Sequence, residues 1–220
     1  MANRKFLKLL VLFPIFICVF LFLPAGSFKF WEGWVYSAAI FIPMVLTVSY
    51  LIKKDPALLE RRMKLKEKEK RQKLIVKIFR LPFILGFLIP AFDYRFNWSE
   101  VSRVIVLLAN VVVFLGYYIV FLVFKANTYT SRIVEVEKDQ KVISTGPYAI
   151  VRHTMHTGSI LMFLFTPLAL GSWWALIVFI FLPIILIIRI YNEESVLLRD
   201  LSGYKEYCEK VGYRLIPYIW

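Results

Sequence analysis

Apolar residues in this chain gather into six runs, at about 6–24, 34–52, 74–91, 101–124, 157–170 and 173–189, with polar stretches between them. A helix needs about 20 apolar residues to cross the hydrocarbon core of a bilayer, and several of these runs approach that length. Two runs depart from a plain span. Pro82 and Gly86 break the third, and the fifth joins the sixth through GSWW at 171–174, which predicts a tight helical hairpin. Trp31, Trp34, Tyr94, Trp98, Trp173 and Trp174 fall near the proposed span ends, where aromatic belts form. Beyond Arg189 the pattern changes: Leu197, Leu198, Leu201, Tyr204, Cys208 and Val211 make a helical stripe with charges opposite, interrupted at Gly203. That predicts a cytoplasmic C-terminal helix lying against the membrane part, closed by Pro217.

The expected fold is therefore all-α, a polytopic membrane helical bundle of about five to six transmembrane helices. Composition supports it: 60% of the residues are hydrophobic, more than a soluble domain of 220 residues can bury. The first run resembles a signal peptide, but its core is long and AGSFKFWEGW offers no convincing cleavage site, so it is read as a retained span. Cys18 and Cys208 supply neither a disulfide framework nor a metal spacing.

Charge orients the bundle. The net charge is +13, and twelve of the 28 basic residues lie between Lys53 and Arg80. No folded basic module accompanies them, so nucleic acid is not expected as a partner. The basic loop at 53–73 is expected on the cytoplasmic face, meeting anionic lipid headgroups. The N-terminus, 53–73, 125–156 and the tail hold nearly all the Lys and Arg, whereas 25–33, 92–100 and 171–172 hold only Lys29 and Arg95. Both termini are thus expected in the cytoplasm. Two regions follow: N-terminal transmembrane helices over 1–124 and a core over 125–220. The oligomeric state is not fixed by any of these features.

Candidate chemistry is concentrated at 146–158, GPYAIVRHTMHTG, which holds both histidines of the chain. His153 and His156 share a helical face, and Glu193 or Glu194 could complete a metal set. The HxxH spacing lacks the HExxH pattern, and two histidines are too few for a membrane di-iron oxygenase, so no metal is expected and a lone zinc is the rival reading. There is no GxSxG elbow, no GxGxxG and no Walker lysine loop. What remains is a polar cluster in two parts. The first is the loop 140–156, turning at Gly146-Pro147, where backbone N–H groups could receive an anionic group. The second is Arg189 with Glu193 and Glu194; Arg189 and Glu193 are four apart and share a face, which by itself could be a plain ion pair. Flanking one hairpin, the two parts are expected to meet in space.

In order and spacing, GPYAIVRHTMHTG, RIYNEE (189–194), YKEY (204–207) and RLIP (214–217) resemble the isoprenylcysteine carboxyl methyltransferase family and its phospholipid N-methyltransferase relatives. The resemblance covers about Asn127 to Pro217. It implies S-adenosyl-L-methionine as methyl donor, held by Gln140, Lys141, Val142, Ile143, Tyr148, His153, Thr154, Met155, His156 and Glu193, with Gly146, Pro147 and Glu194 beside them. It implies Arg189 at a substrate carboxylate, with Glu193 and Arg152 completing the catalytic set. A carboxylate is already a nucleophile at neutral pH, so alignment and desolvation carry the burden rather than a strong base. Two positions depart from the family pattern: Thr154 stands for a proline, which is expected to loosen the turn, and His156 stands for a tyrosine.

The expected activity is carboxyl O-methylation of an isoprenoid or lipid-like acceptor that enters from the bilayer, at a site facing the cytoplasm. Phospholipid N-methylation is the alternative. An NADPH-dependent sterol-type reductase and a non-catalytic lipid-binding membrane protein are rivals from other classes.

Overall fold

The computed structural model describes residues 11–62, 70–137 and 139–220. The described residues form helices, turns and loops, with no strand among them. Helix α1 (Val11–Ala25) carries a π-helical turn over Cys18–Phe22. That turn lies just ahead of Pro24, which has no N–H to give. Helix α2 (Trp31–Lys54) is followed by α3 (Pro56–Arg62), then α4 (Lys70–Phe96) and α5 (Arg103–Ala126). After a long loop come α6 (Thr154–Ala169), α7 (Trp174–Phe179), α8 (Phe181–Asp200) and α9 (Tyr204–Lys210).

Four helical stretches are long and apolar enough to span a membrane: α2, α4, α5 and α7 continued by α8. α1 and α6 are shorter. Only 22–28% of the residues in the span windows are buried inside the protein, so most of their apolar surface is left to lipid. This is an integral membrane protein.

Several details follow from single residues. Pro82 does not end the third apolar run, because α4 continues through it and through Pro90; membrane helices tolerate proline where neighbours close the gap. Nor does Gly86 break the helix. It makes room for the Phe179 ring, whose Cε2 would sit 2.4 Å from a Cβ placed there. Pro183 cannot bond to the Phe179 carbonyl, which accounts for the break between α7 and α8. The predicted interruption of the tail is present: α8 ends at Asp200 and Gly203 turns with φ +81° before α9.

One arm of the helical hairpin, α6, packs on α5 and the other, α7 with α8, packs on α4; the α5–α6 pair approaches most closely where two glycines face each other. A Cβ on Gly116 would lie 2.7 Å from the Gly158 carbonyl, and one on Gly158 would lie 2.6 Å from that of Gly116. Small residues let membrane helices approach this far. Two polar ties mark the opposite ends of the bundle. At one end buried Asp93 accepts from Ser99 N (2.7 Å), Ser99 Oγ (2.6 Å) and Ser172 Oγ, joining the end of α4 to the α6–α7 turn. At the other end Asp55 caps α3 through Leu58 N (2.9 Å) and also accepts from Thr128 Oγ1. Leu58 and Leu59 bury against Val48 and Leu51 of α2, which fixes the direction in which α3 points.

Candidate active site

The loop after α5 returns to the bundle through a 3-10 turn over Gly146–Ala149, where Gly146 adopts φ +61°. Several backbone donors in and after it are occupied. Tyr148 N reaches Thr145 O (3.3 Å) and Ile150 N reaches Pro147 O (3.3 Å), while Arg152 N and His153 N bond to Tyr213 O and Arg214 O, both at 2.9 Å. The N–H groups of Tyr148, Ile150, Arg152 and His153 are thus used by the fold, and α6 begins only at Thr154.

Thr154 does not loosen this turn. Its hydroxyl donates to Val151 O (3.0 Å) and also reaches Pro147 O (3.1 Å), tying the 3-10 turn to the first turn of α6. Asn127 Nδ2 donates to the Tyr148 hydroxyl at 3.2 Å, and Tyr207 Oη donates to Tyr148 O at 2.7 Å. Burial pushes the Tyr148 hydroxyl up, so it remains a neutral phenol.

The two adjacent glutamates of α8 do different things. Glu194 is buried and receives Arg152 Nη1 at 2.9 Å and Arg214 Nε at 2.8 Å, with His153 Nε2 3.3 Å away. It joins the site loop to the C-terminal tail. Arg152, expected in the catalytic set, is held by this ion pair and by Gly212 O (3.2 Å), which places it in the wall of the site.

Glu193 turns to the other side, with Oε2 3.8 Å from His156 Nε2. The His153 and His156 rings meet edge to face, centroids 5.6 Å apart. His153, His156 and Glu193 each bring one potential ligand atom within 4.8 Å of the others. These are three of the residues the sequence pointed to, and they could hold a metal ion. The charges of Glu193, Arg189 and Arg62 all bear on His156. Burial pushes His156 down to about 4, so its imidazole is neutral at physiological pH.

Arg189 does not form the helical ion pair with Glu193 that their spacing allows. Its Nη2 donates to Arg132 O at 2.9 Å. Gln72, at 0% exposure, donates from Nε2 to Arg189 O (3.3 Å), leaving Oε1 buried without a protein partner. Asn192 Nδ2 beside Glu193 is likewise buried and unpartnered. Met155 lies in the first turn of α6, against Arg62.

The outer part of the expected donor set is less closely gathered. Gln140 spends its side-chain oxygen on Glu137 N (2.9 Å) and Lys141 is exposed. Val142 packs against Leu201, Tyr204 and Tyr207, and Ile143 is half-buried in the same strap of loop.

Two contributors went unread in the sequence. Arg214 lay outside any charge pattern, in RLIP. Arg62 lay inside the basic run assigned to lipid headgroups. Arg61 and Arg62 instead turn inward: Arg61 bonds to Thr128 O (3.0 Å) and Arg62 bonds to Ser131 O (2.9 Å) and Met155 Sδ (3.7 Å). Lys53, Lys54, Lys70, Arg71 and Lys73 are exposed, as a headgroup-binding surface requires, and 63–69 lie outside the described residues.

Fold and site together define a polytopic helical membrane protein whose polar cluster is gathered at one end of a helical hairpin. Residues 104–202 match the family model described as phospholipid methyltransferase, a segment that begins in α5 and contains Tyr148, His153, His156, Arg189, Glu193 and Glu194. Among solved structures, a eukaryotic intramembrane Ras methyltransferase, isoprenylcysteine carboxyl methyltransferase, is similar in fold at 18% identity. The alignment covers 97% of this chain and 86% of that one, with a TM-score of 0.50. No curated protein matches the chain. Residues 104–202 thus match the pattern of phospholipid methyltransferases, on a membrane fold similar to that of isoprenylcysteine carboxyl methyltransferase.

Proposed function

We propose that this protein transfers a methyl group from S-adenosyl-L-methionine to the carboxylate of an isoprenoid or other lipid-like acceptor, at a site facing the cytoplasm. The observation that carries the reading is the juxtaposition of Glu193 and His156 (3.8 Å) with the Arg189 guanidinium one helical turn away. The residues present fit the donor. Glu193 and the unpartnered Asn192 amide offer polar contacts of the kind a ribose or an ammonium group takes. Met155, Tyr148 and the rings of His153 and His156 offer apolar and aromatic walls for an adenine.

The donor, when bound, supplies an activated methyl group. The protein's own part is positioning. Arg189 orients an acceptor carboxylate by charge-assisted hydrogen bonding. The apolar surface of the bundle holds the acceptor's hydrocarbon part and keeps water from the nucleophile. No proton need be removed from a carboxylate. This agrees with His156, a poor base with its imidazole lowered to about 4.

Orientation follows from charge. Exposed Lys53, Lys54, Lys70, Arg71 and Lys73 lie at the same end of the bundle as the site, which supports a cytoplasmic face.

Phospholipid N-methylation is the second reading, favoured by the description of the family model that matches residues 104–202. Labelled-methyl transfer in membranes separates the two. Ester methyl groups leave as methanol in mild alkali and N-methyl groups do not. Calorimetric titration with S-adenosylhomocysteine tests the donor alone, and no binding at millimolar concentration overturns the reading.

A further inference from the structure

The family match begins at residue 104, yet a charged side chain from the region before it, Arg62, also enters the site. Arg62 is the last residue of α3, and the helix aims it there. Asp55 caps α3, Pro56 starts it, and Leu58 and Leu59 anchor it on α2. The Arg62 guanidinium then packs on the Phe124 ring, 5.2 Å from its centroid. It donates to Ser131 O at 2.9 Å and reaches Met155 Sδ at 3.7 Å.

The next residue along, Arg132, accepts at its carbonyl from Arg189 Nη2, also at 2.9 Å. Two guanidinium groups separated by more than half the chain thus grip adjacent carbonyls. Among the described residues, neither has a carboxylate within ion-pair distance. Glu193, whose field reaches both, turns to His156 instead. Arg132 itself is exposed and adds a third positive charge.

Like charges drawn together repel, and this arrangement forms no internal pair to offset the repulsion. Arginine presents a planar fork of five donors, of which the carbonyl contacts use only some. Carbonyls hold such forks in place without neutralising them, which leaves their charge for a guest. Burial and the charges of Arg132 and Arg189 lower Arg62 to about 10, so it stays cationic at physiological pH.

We propose that Arg62 and Arg189 together form the subsite for the acceptor's anionic headgroup, with Arg132 at its open edge. This deepens the methyltransferase reading and rests on it. The shared ligand chemistry is an oxyanion on an amphiphile. A carboxylate would be the methyl acceptor itself, whereas a phosphodiester would be the anchor of an amine-bearing lipid. Arg62 is a specificity residue in either case, since it selects a charged headgroup over a neutral one of the same shape.

The test is a binding measurement made without donor. Wild-type protein, Arg62→Gln, Arg62→Lys and the control Arg61→Gln are purified in detergent or nanodiscs. One arm titrates a farnesyl thioether carboxylate against its primary amide. The other titrates phosphatidylethanolamine against diacylglycerol. S-adenosylhomocysteine affinity is measured on every preparation. In one arm, wild-type protein and Arg61→Gln should prefer the oxyanion-bearing amphiphile by about tenfold or more. Arg62→Gln should lose that preference, while Arg62→Lys keeps part of it, having a charge without a fork.

Unchanged preference in Arg62→Gln overturns the proposal. So does the absence of any preference in both arms of the wild type. If Arg62→Gln does not fold, the drop expected in Arg62→Lys decides, and full retention there overturns the proposal. Loss of S-adenosylhomocysteine binding in the wild type sinks the methyltransferase reading instead, and the amphiphile arms remain interpretable without it.

Discussion

Arg152 Nη1 lies 2.9 Å from Glu194 Oε1, with both side chains only 7% exposed. Arg214 takes the second oxygen of Glu194 at 2.8 Å, and His153 stands 3.3 Å from the first. One carboxylate therefore fastens the site loop and the C-terminal tail to α8. Breaking a buried pair from one side costs about 3–5 kcal/mol because the partner charge is left uncompensated. Glu194→Gln should fall near the lower end, since the amide still accepts from one arginine. Thermal unfolding in detergent should show a clear drop in Tm, and an unaltered Tm would show that these ties are dispensable.

The neighbouring Glu193 should give the opposite split. It contacts His156 at 3.8 Å and holds no buried arginine. Glu193→Gln is expected to leave Tm near the wild-type value while weakening S-adenosylhomocysteine binding about tenfold, on the scale of one charged hydrogen bond. Calorimetric titration of folded variant protein measures this. Equal affinity would remove Glu193 from the donor pocket.

His156 predicts a pH dependence of stability. Its folded pKa is depressed to about 4 from an ordinary value of 6.5. The unfolded chain binds this proton first, so the contribution is fully present above about 6.5 and is lost as pH falls toward about 4. The loss is at most about 3 kcal/mol for this one group. Unfolding curves of wild-type protein and His156→Gln should therefore diverge across that window, with the wild type losing more on acidification. Parallel curves would mean that His156 is not buried as a neutral ring.

The closest helix contact should tolerate no side chain. A methyl at Gly116 would lie 2.7 Å from the Gly158 carbonyl, which is backbone and cannot swing away. Gly116→Ala is expected to cost about 1–3 kcal/mol, the range for overpacking. The α5–α6 pair positions Met155 and His156, so activity should fall with it. The measurement is the yield of monodisperse protein together with Tm, and a wild-type result would mean that the two helices sit farther apart.

Much of this architecture was legible in the chain. The apolar runs mark the helices because lipid requires long uninterrupted apolar surfaces and internally satisfied backbone. GSWW marks the α6–α7 turn, where Gly171 takes φ +73°. Gly203 marks the break in the tail for the same conformational reason. Pro82 misled because proline's penalty in a helix depends on whether neighbours repair the lost bond, and that is a matter of packing. The loop after Gly146-Pro147 shows the same dependence on packing, since the N–H groups of Arg152 and His153 are taken by carbonyls of Tyr213 and Arg214 from far along the chain.

The sequence by itself determined that this is a helical membrane protein and which short segments carry its polar chemistry, because both are written in local periodicity and residue type. Only the tertiary structure decided what each polar residue does. Glu193 and Glu194 are adjacent and chemically identical, but a helix turns about 100° per residue, so they face different neighbours. One meets Arg152 and Arg214 and becomes a structural tie; the other meets the His156 ring. Arg62 was indistinguishable from the lysines around it until Asp55 and Leu58 fixed the direction of α3. Charge and spacing are local properties, whereas the partner that gives a charge its role arrives from a distant segment and is fixed only by packing.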